Sequence, residues 1–160
     1  TDGSLGAWTR AGSLPAPRSH HGAVLHEGWL YVLGGLSGDP MGANESHDTV
    51  WRAPLAADGS LGSWEELEPL PVALTAMAPF VAGGSIWVAG GIEGSATLSA
   101  RVRRAPLAPD GTLGQWASAN SFPLRRAHVH QMPVIGGKVF GVGGSVGSSS
   151  TADVVVGTLR

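Results

Sequence analysis

Short apolar runs separated by glycine-rich turns recur along the chain and predict antiparallel β-strands. Residues 19–26 and 29–33 flank one such turn, and the second run ends in a Gly-Gly doublet. Two β-rich runs joined by a short glycine turn are typical of a hairpin. Runs at 49–55 and 64–67 complete a set of four strands. No segment combines apolar residues at helical spacing with helix caps, so the pattern favours an all-β fold.

The same succession of strands and turns occurs twice more along the chain, and a seven-residue motif repeats with it. Residues 2–8, 58–64 and 110–116 share the pattern Asp-Gly-x-Leu-Gly-x-Trp, with a spacing of roughly 50 residues. Repeats of this length, each with four short strands, are typical of the blades of a β-propeller. The further runs predicted as strands are 75–82, 85–89, 101–107 and residues from 116 onward in the second cycle, and 127–134, 138–142 and 152–159 in the third.

These cycles divide a single domain, residues 1–160, into three predicted blades. We expect blade 1 at 15–70, blade 2 at 71–122 and an incomplete blade 3 at 123–160, with residues 1–14 forming an outer strand that closes a blade.

The register suggests how the incomplete blade is closed. Leu55 and Leu107 each precede an Asp-Gly turn by three residues, and joining Leu159-Arg160 to the start of a second copy restores that spacing. We therefore expect a homodimer that forms one six-bladed ring, since an unpaired edge strand is an aggregation hazard. The alternative is that the chain is half of a longer six- or seven-bladed polypeptide.

Composition narrows the classes of function. Hydrophobic residues make up 42% of the chain and charged residues 14%, with 25 glycines, which indicates a globular, turn-rich protein. With a net charge of −2, the chain lacks the excess of positive charge that attracts the phosphate backbone of a nucleic acid. No apolar run reaches the length of a membrane-spanning helix, so we expect no membrane partner. The absence of cysteine excludes disulfides and thiolate metal sites.

The glycine doublets and their neighbours resemble the kelch repeat. Tyr31-Val32-Leu33-Gly34-Gly35 matches best, followed by residues 87–91 and 140–144, with Trp64 and Trp116 downstream. An arginine opens the first and third units, at Pro17-Arg18 and Arg125-Arg126, whereas Leu74 takes this place in the second unit. The resemblance, which is to the secreted bacterial branch of kelch and galactose-oxidase-like propellers, implies a propeller that usually binds ligands and an extracellular or periplasmic location.

Galactose oxidase is the obvious enzymatic relative of this fold. That activity needs copper and a tyrosine cross-linked to cysteine, whereas this chain has no cysteine and a single tyrosine. We therefore exclude it, and we expect no cofactor.

Arginine and histidine side chains form one candidate site. Arg126, His128 and His130 alternate along one strand and so share a face, and Arg18 and His20 repeat the arrangement in blade 1. Such a cluster could hold a carboxylate or a metal. We favour the alternative, that these side chains bond to neighbouring loops, because two histidines without a paired carboxylate are a weak metal signal.

The loop 36–48 is the second candidate, because it is longer than its counterparts and variable loops on a repeating scaffold often bind ligands. A solvated turn is the simpler interpretation. In propeller strand order this loop lies on the same rim as the Arg/His positions. The predicted rim residues are Arg18, His20, Asp39, Asn44, His47, Arg125, Arg126 and His128.

Two classes of function remain. The first is a non-catalytic scaffold that binds a protein or glycan through this rim, with Trp29 and Trp51 as candidate exposed carbohydrate platforms. The second is a sugar-modifying enzyme of the sialic-acid mutarotase type that uses the Arg/His cluster. A structural propeller fragment without activity is the simplest alternative.

Overall fold

The computed structural model describes residues 3–39 and 43–160, and within these residues it contains strands and no helix. No helix in this described part could therefore cross a membrane. In chain order the strands are β1 (Gly22–His26), β2 (Trp29–Leu33), β3 (Leu36–Gly38), β4 (Asn44–Ser46), β5 (Val50–Pro54), β6 (Glu65–Leu67), β7 (Leu74–Thr75), β8 (Ala78–Ala82), β9 (Ser85–Ala89), β10 (Ile92–Glu93), β11 (Thr97–Leu98), β12 (Val102–Pro106), β13 (Ala117–Ala119), β14 (Val134–Ile135), β15 (Lys138–Val142) and β16 (Val154–Thr158).

Three antiparallel sheets follow the predicted cycle. The first has the order β1-β2-β5-β6, the second contains β8, β9, β12 and β13 in sequential order, and the third contains β14, β15 and β16. We call these sheets units 1, 2 and 3, each with the connecting segments of its repeat. This meander of short neighbouring strands is the all-β propeller arrangement that the sequence predicted.

Several elements differ from the sequence prediction; one is the strand predicted at 75–82, which the positive φ of Ala76 divides into β7 and β8. The first strand of unit 3 was predicted at 127–134, but β14 covers only Val134–Ile135. His128 has a φ of 56°, which breaks the extended backbone, and Pro133 has no N–H to pair. The loop 36–48 was predicted as irregular, but β3 and β4 form a hairpin within it, with Leu36 opposite Ser46.

The apolar core lies between successive units. One cluster joins Tyr31, Leu33 and Val50 of unit 1 to Leu74, Ile86 and Val88 of unit 2, and all of these side chains are buried. A second cluster joins β8 and β9 of unit 2 to Val129, Met132 and Val139 of unit 3. Each sheet is therefore stabilised mainly by burying a face against the next one, as expected for repeats that have no core of their own.

The glycine doublets lie where the backbone of one unit contacts the start of the next unit, and we call these contacts joints. The Gly35 N–H donates to the Leu74 carbonyl at 3.0 Å, and the Gly91 N–H donates to the Arg126 carbonyl at 2.8 Å. A Cβ on Gly34 would lie 2.3 Å from the Leu74 oxygen, and one on Gly90 would lie 2.3 Å from the Arg126 oxygen. The doublets are needed because only glycine permits this approach at positive φ.

The Asp110-Gly111 turn of unit 2 contacts unit 1 beside β2. The Asp110 carboxylate accepts hydrogen bonds from the backbone and hydroxyl of Thr112, which fixes the turn. This turn contacts unit 1, where the Tyr31 hydroxyl donates to the Gly111 carbonyl at 2.8 Å and Arg52 donates to the Asp110 carbonyl at 2.7 Å.

Residues 3–14 form no strand in the single chain, and Trp8 is 88% exposed. Even so, the Trp64 indole donates to the Ser13 carbonyl at 2.7 Å, much as the Trp116 indole approaches the Glu68 carbonyl at 3.4 Å. The predicted outer strand, the blade boundaries and the homodimer remain predictions, and residues 1–2 lie outside the described part.

Candidate functional site

Three equivalent residues, one near the start of each unit, share an unusual backbone conformation and are linked in series by hydrogen bonds. His20, Ala76 and His128 have φ values of 52°, 52° and 56°, which non-glycine residues seldom adopt. The Ala76 N–H donates to the His20 carbonyl at 2.8 Å, and the His128 N–H donates to the Ala76 carbonyl at 2.9 Å. These bonds run from unit to unit and hold the unusual backbone in place, which brings the side chains of distant residues together.

The histidines of units 1 and 3 form a cluster on this backbone. The ring centroids of His20 and His128 are 5.8 Å apart, and those of His128 and His130 are 6.1 Å apart. Burial lowers the pKa of His128, and the charges of His20 and His130 lower it further. His128 is therefore neutral at pH 7. Within the described residues, no group of three or more His, Cys, Asp or Glu side chains is placed to hold a metal ion.

Two of the three predicted arginines, Arg18 and Arg126, mainly contact their own units. Arg126 is 1% exposed and donates to the Gly143 carbonyl at 3.1 Å, with its guanidinium over the ring of Phe122. Arg18 lies over the Trp51 ring at 4.6 Å and is partly exposed. Burial lowers the pKa of Arg18, whereas the nearby Glu45 raises it. Of the two, only Arg18 is open to a ligand in solution.

The β3–β4 hairpin lies beside the start of unit 1. Ser19 and Leu36 exchange backbone hydrogen bonds of 2.9 and 2.7 Å, which places Arg18 and His20 next to the hairpin. His47 contacts the Ser37 hydroxyl at 2.6 Å within the hairpin and has a structural role there. The exposed predicted residues on this rim are His20, Asp39 and Asn44 at the hairpin, and Arg125 beside the buried Arg126.

Unit 2 contains a buried ion network that sequence reasoning missed. Glu93 is 9% exposed and lies 2.7 Å from the guanidinium of Arg103 and 2.5 Å from that of Arg101, and its carboxylate also accepts from Ser99 at 2.8 Å. Burial raises the pKa of Glu93, but these hydrogen bonds and charges outweigh burial and hold it below its ordinary value. No repeated feature of the sequence pointed to this network, because it lies in one unit of the described chain.

The expected carbohydrate platforms are not exposed, so that prediction was wrong. Trp51 is 6% exposed, and Trp29 is half-buried beneath the guanidinium of Arg52 at 4.1 Å. Both tryptophans are therefore part of the packing. The polar side chains exposed on the rim therefore come from histidine, arginine and hairpin residues.

Comparison with known proteins supports a kelch-repeat assignment. No protein-family model matches the chain. It is 30% identical over 154 residues to the kelch-like protein terF of Aspergillus terreus. The aligned region covers 96% of this chain and 32% of terF. It is 28% identical over 129 residues to beta-scruin of Limulus polyphemus, covering 78% of this chain and 13% of beta-scruin. The chain thus spans a third or less of the length of these relatives.

A solved structure supports the fold independently. YjhT superposes with a TM-score of 0.74 at 18% identity, covering 96% of this chain and 55% of YjhT. Identity at this level is evidence for the fold alone. With the glycine joints and the repeated Asp-Gly turns, these comparisons establish that the chain is a kelch-repeat β-propeller.

Proposed function

We propose that the chain is a non-catalytic binding scaffold whose rim takes a protein or glycan ligand bearing carboxylate groups. The observation that carries this proposal is the cluster of His20, His128 and His130, in which the charged groups acting on the pKa of His128 are other histidines. An imidazole N–H group can donate to a carboxylate oxygen even when the ring is neutral. The exposed Arg125 and partly exposed Arg18 add positive charge on the same rim.

The β3–β4 hairpin supports a binding role rather than a purely structural one. It projects beside Arg18, and the Ser46 hydroxyl donates to the Gly94 carbonyl of unit 2 at 2.7 Å, so it joins neighbouring rim loops. A surface built from loops on a rigid repeat is well suited to recognition. The extracellular or periplasmic, bacterial setting belongs to the same proposal, and its support is the sequence resemblance.

A matched pair of ligands tests the charge preference. We expect a sialylated glycan to bind more tightly than the same glycan without its sialic acid, and Arg18→Ala and His128→Ala to weaken that binding about tenfold or more. Lys138→Ala is the control, because it removes an exposed positive charge at the far end of β15. If array and titration measurements show no preference for acidic ligands, or if all three variants behave alike, the proposal is wrong.

A sugar-modifying enzyme of the sialic-acid mutarotase type is the second candidate. It is favoured by the lowered pKa of His128, which leaves a neutral imidazole able to accept a proton at pH 7. NMR measurement of anomer exchange in free sialic acid separates the two candidates. The binding proposal predicts the uncatalysed rate, whereas acceleration that is lost in both His128→Ala and His130→Ala would replace it with the enzyme.

A further inference from the structure

A groove runs between the first strands of the three main sheets, and we call it the inner groove. Its lining comes from residues 23–25 on β1, 79–81 on β8 and 130–134, which lead into β14, and its volume is about 520 Å³. Each of these strands is the end strand of its sheet. The inner groove is therefore formed jointly by three successive units.

Strand edges line the inner groove together with side chains. Successive side chains of a strand point to opposite faces of its sheet, so three consecutive residues that line one groove must present their strand edge to it. This applies to 23–25 on β1 and to 79–81 on β8. A strand edge offers N–H and C=O groups for pairing. Unit 2 has a described unit on each side, yet Pro79 and Val81 are only half-buried, so the groove is open even between neighbours.

The inner groove has a polar end and an apolar body. His130 and Gln131 form the polar end, and the ring of His130 lies 6.1 Å from that of His128 in the histidine cluster. The other lining side chains, such as Pro79 and Val81, carry no hydrogen-bonding nitrogen or oxygen atom. Among the described residues that line the groove, none is acidic. The groove thus leads from imidazole and amide groups that can donate to a carboxylate onto an apolar surface.

The floor of the inner groove is fixed by the core. Phe80 and Met132 belong to the cluster between units 2 and 3 and are 7% and 8% exposed. Val24 packs against the cluster between units 1 and 2. Because both clusters hold the floor in place, the groove is formed before a ligand arrives, which limits the ordering cost of binding to the ligand itself.

An extended peptide matches these features better than a glycan does. Three residues of a strand span about 10 Å, and the backbone groups of an extended peptide recur at the same spacing as those of a strand edge. A sugar would place several hydroxyl groups against apolar side chains that cannot hydrogen-bond to them. Trp51, which could have stacked on a sugar ring, is buried, and Trp29 is covered by Arg52.

We infer that the inner groove binds an extended segment of another protein in which apolar residues adjoin a carboxylate group. The segment pairs its backbone with the strand edges, places its apolar side chains along the body of the groove, and directs its carboxylate to His130 and the adjoining histidines. This inference rests on the proposed function, because it uses the same histidine cluster, and it narrows the ligand from a protein or glycan to a protein segment of this chemistry.

Four matched peptides test the inference, with binding followed in the amide NMR spectrum of the intact chain. Each is an acetylated, amidated hexapeptide that combines a terminal glutamate or glutamine with a run of either apolar residues or serines, and each is made with the terminal residue at either end. We expect the peptide with glutamate and apolar residues to bind at least about tenfold more tightly than the other three, which lose a carboxylate hydrogen bond, apolar burial or both. It should shift the amide signals of residues 23–25, 79–81 and 130–134.

The same peptides separate failure of this inference from failure of the proposed function. Equal binding of the apolar and serine peptides that carry glutamate would overturn the inference and leave the carboxylate preference intact. Equal binding of the glutamate and glutamine peptides would remove the carboxylate preference on which both depend. Binding by none of the peptides, or signal changes confined to residues outside the groove, would also overturn the inference.

Methylated peptides test the backbone pairing without altering the protein. A strand edge pairs with alternate amides of its partner, so N-methylation of one alternate set of peptide amides should weaken binding about tenfold or more, and methylation of the other set should not. Equal affinities for the two methylated peptides would overturn the inference.

Two valine variants provide the matched control on the protein. Val134 lines the groove and is 41% exposed, whereas Val156 on β16 is 57% exposed and is not part of the lining. Val134→Asn should weaken binding of the peptide with glutamate and apolar residues about threefold or more, and Val156→Asn should leave it unchanged. The same affinity in both variants would contradict binding in the inner groove.

Discussion

Replacing Glu93 with glutamine tests the buried ion network of unit 2. Arg103 is 8% exposed at its side chain and its Nη1 already has no hydrogen-bond partner, so loss of the carboxylate charge leaves a buried cation without compensation. Breaking a buried ion pair in this way costs about 3–5 kcal/mol. Arg101 is 64% exposed and can be rehydrated, which favours the lower end, about 3 kcal/mol.

The measurement is urea unfolding of Glu93→Gln beside the wild type, with Glu66→Gln on exposed β6 as the control. In thermal unfolding of a domain of this size, a loss of about 3 kcal/mol in unfolding free energy would lower Tm by roughly 6–12 °C. The pKa of Glu93 is held below its ordinary value of 4.5, so the folded chain binds this proton less readily than the unfolded chain. The stabilisation is therefore present above about pH 4.5 and is lost as the pH falls through the folded-state pKa.

The same pH dependence provides a test that can refute this account of the ion network. The difference in unfolding free energy between wild type and Glu93→Gln should shrink as the solution is acidified below about pH 4.5. A difference below about 1 kcal/mol at pH 7, or the same loss in Glu66→Gln, would show that the network does not stabilise unit 2 as described.

Three further predictions concern the joints and the histidines. Tyr31→Phe should lower the unfolding free energy by about 1–3 kcal/mol in urea titration, because it leaves the Gly111 carbonyl without its donor; no change would count against this contact. Burial lowers the pKa values of His128 and His21 below 6.5, so the unfolded chain binds these protons first and stability should fall as the pH drops below about 6.5; denaturation at pH 7.5 and 5.5 checks the sign. Trp116→Ala should cost roughly 2 kcal/mol, since Trp116 is half-buried against the core, and an unchanged melting curve would contradict that packing.

The repeat pattern predicted most of the fold because its markers have a direct structural use. The Gly34–Gly35 doublet permits a backbone approach that no side chain allows, and the Asp110-Gly111 turn hydrogen-bonds to the neighbouring unit. The burial of Trp51 could not be predicted from alternation. β5 is covered on both faces, so Val50, Trp51, Arg52 and Ala53 are all buried, whereas alternation assumes one solvated face.

The candidate site was predictable only in part. The Arg-x-His spacing placed His20 and His128 on the same rim, and their rings do lie close together. The Glu93 network was hidden because it occurs in one unit, whereas the sequence argument depended on repetition. The left-handed backbone of Ala76 carries no local signal either, since it is imposed by hydrogen bonds to neighbouring units.

The most direct test of the account is the mass of the unaltered chain in solution, measured by sedimentation equilibrium across micromolar concentrations. The homodimer predicted from the sequence, one six-bladed ring, would give a species of twice the 16.3 kDa chain mass that does not grow further, because the ring is closed. A single-chain mass throughout this range, or a series of ever larger species, would contradict it.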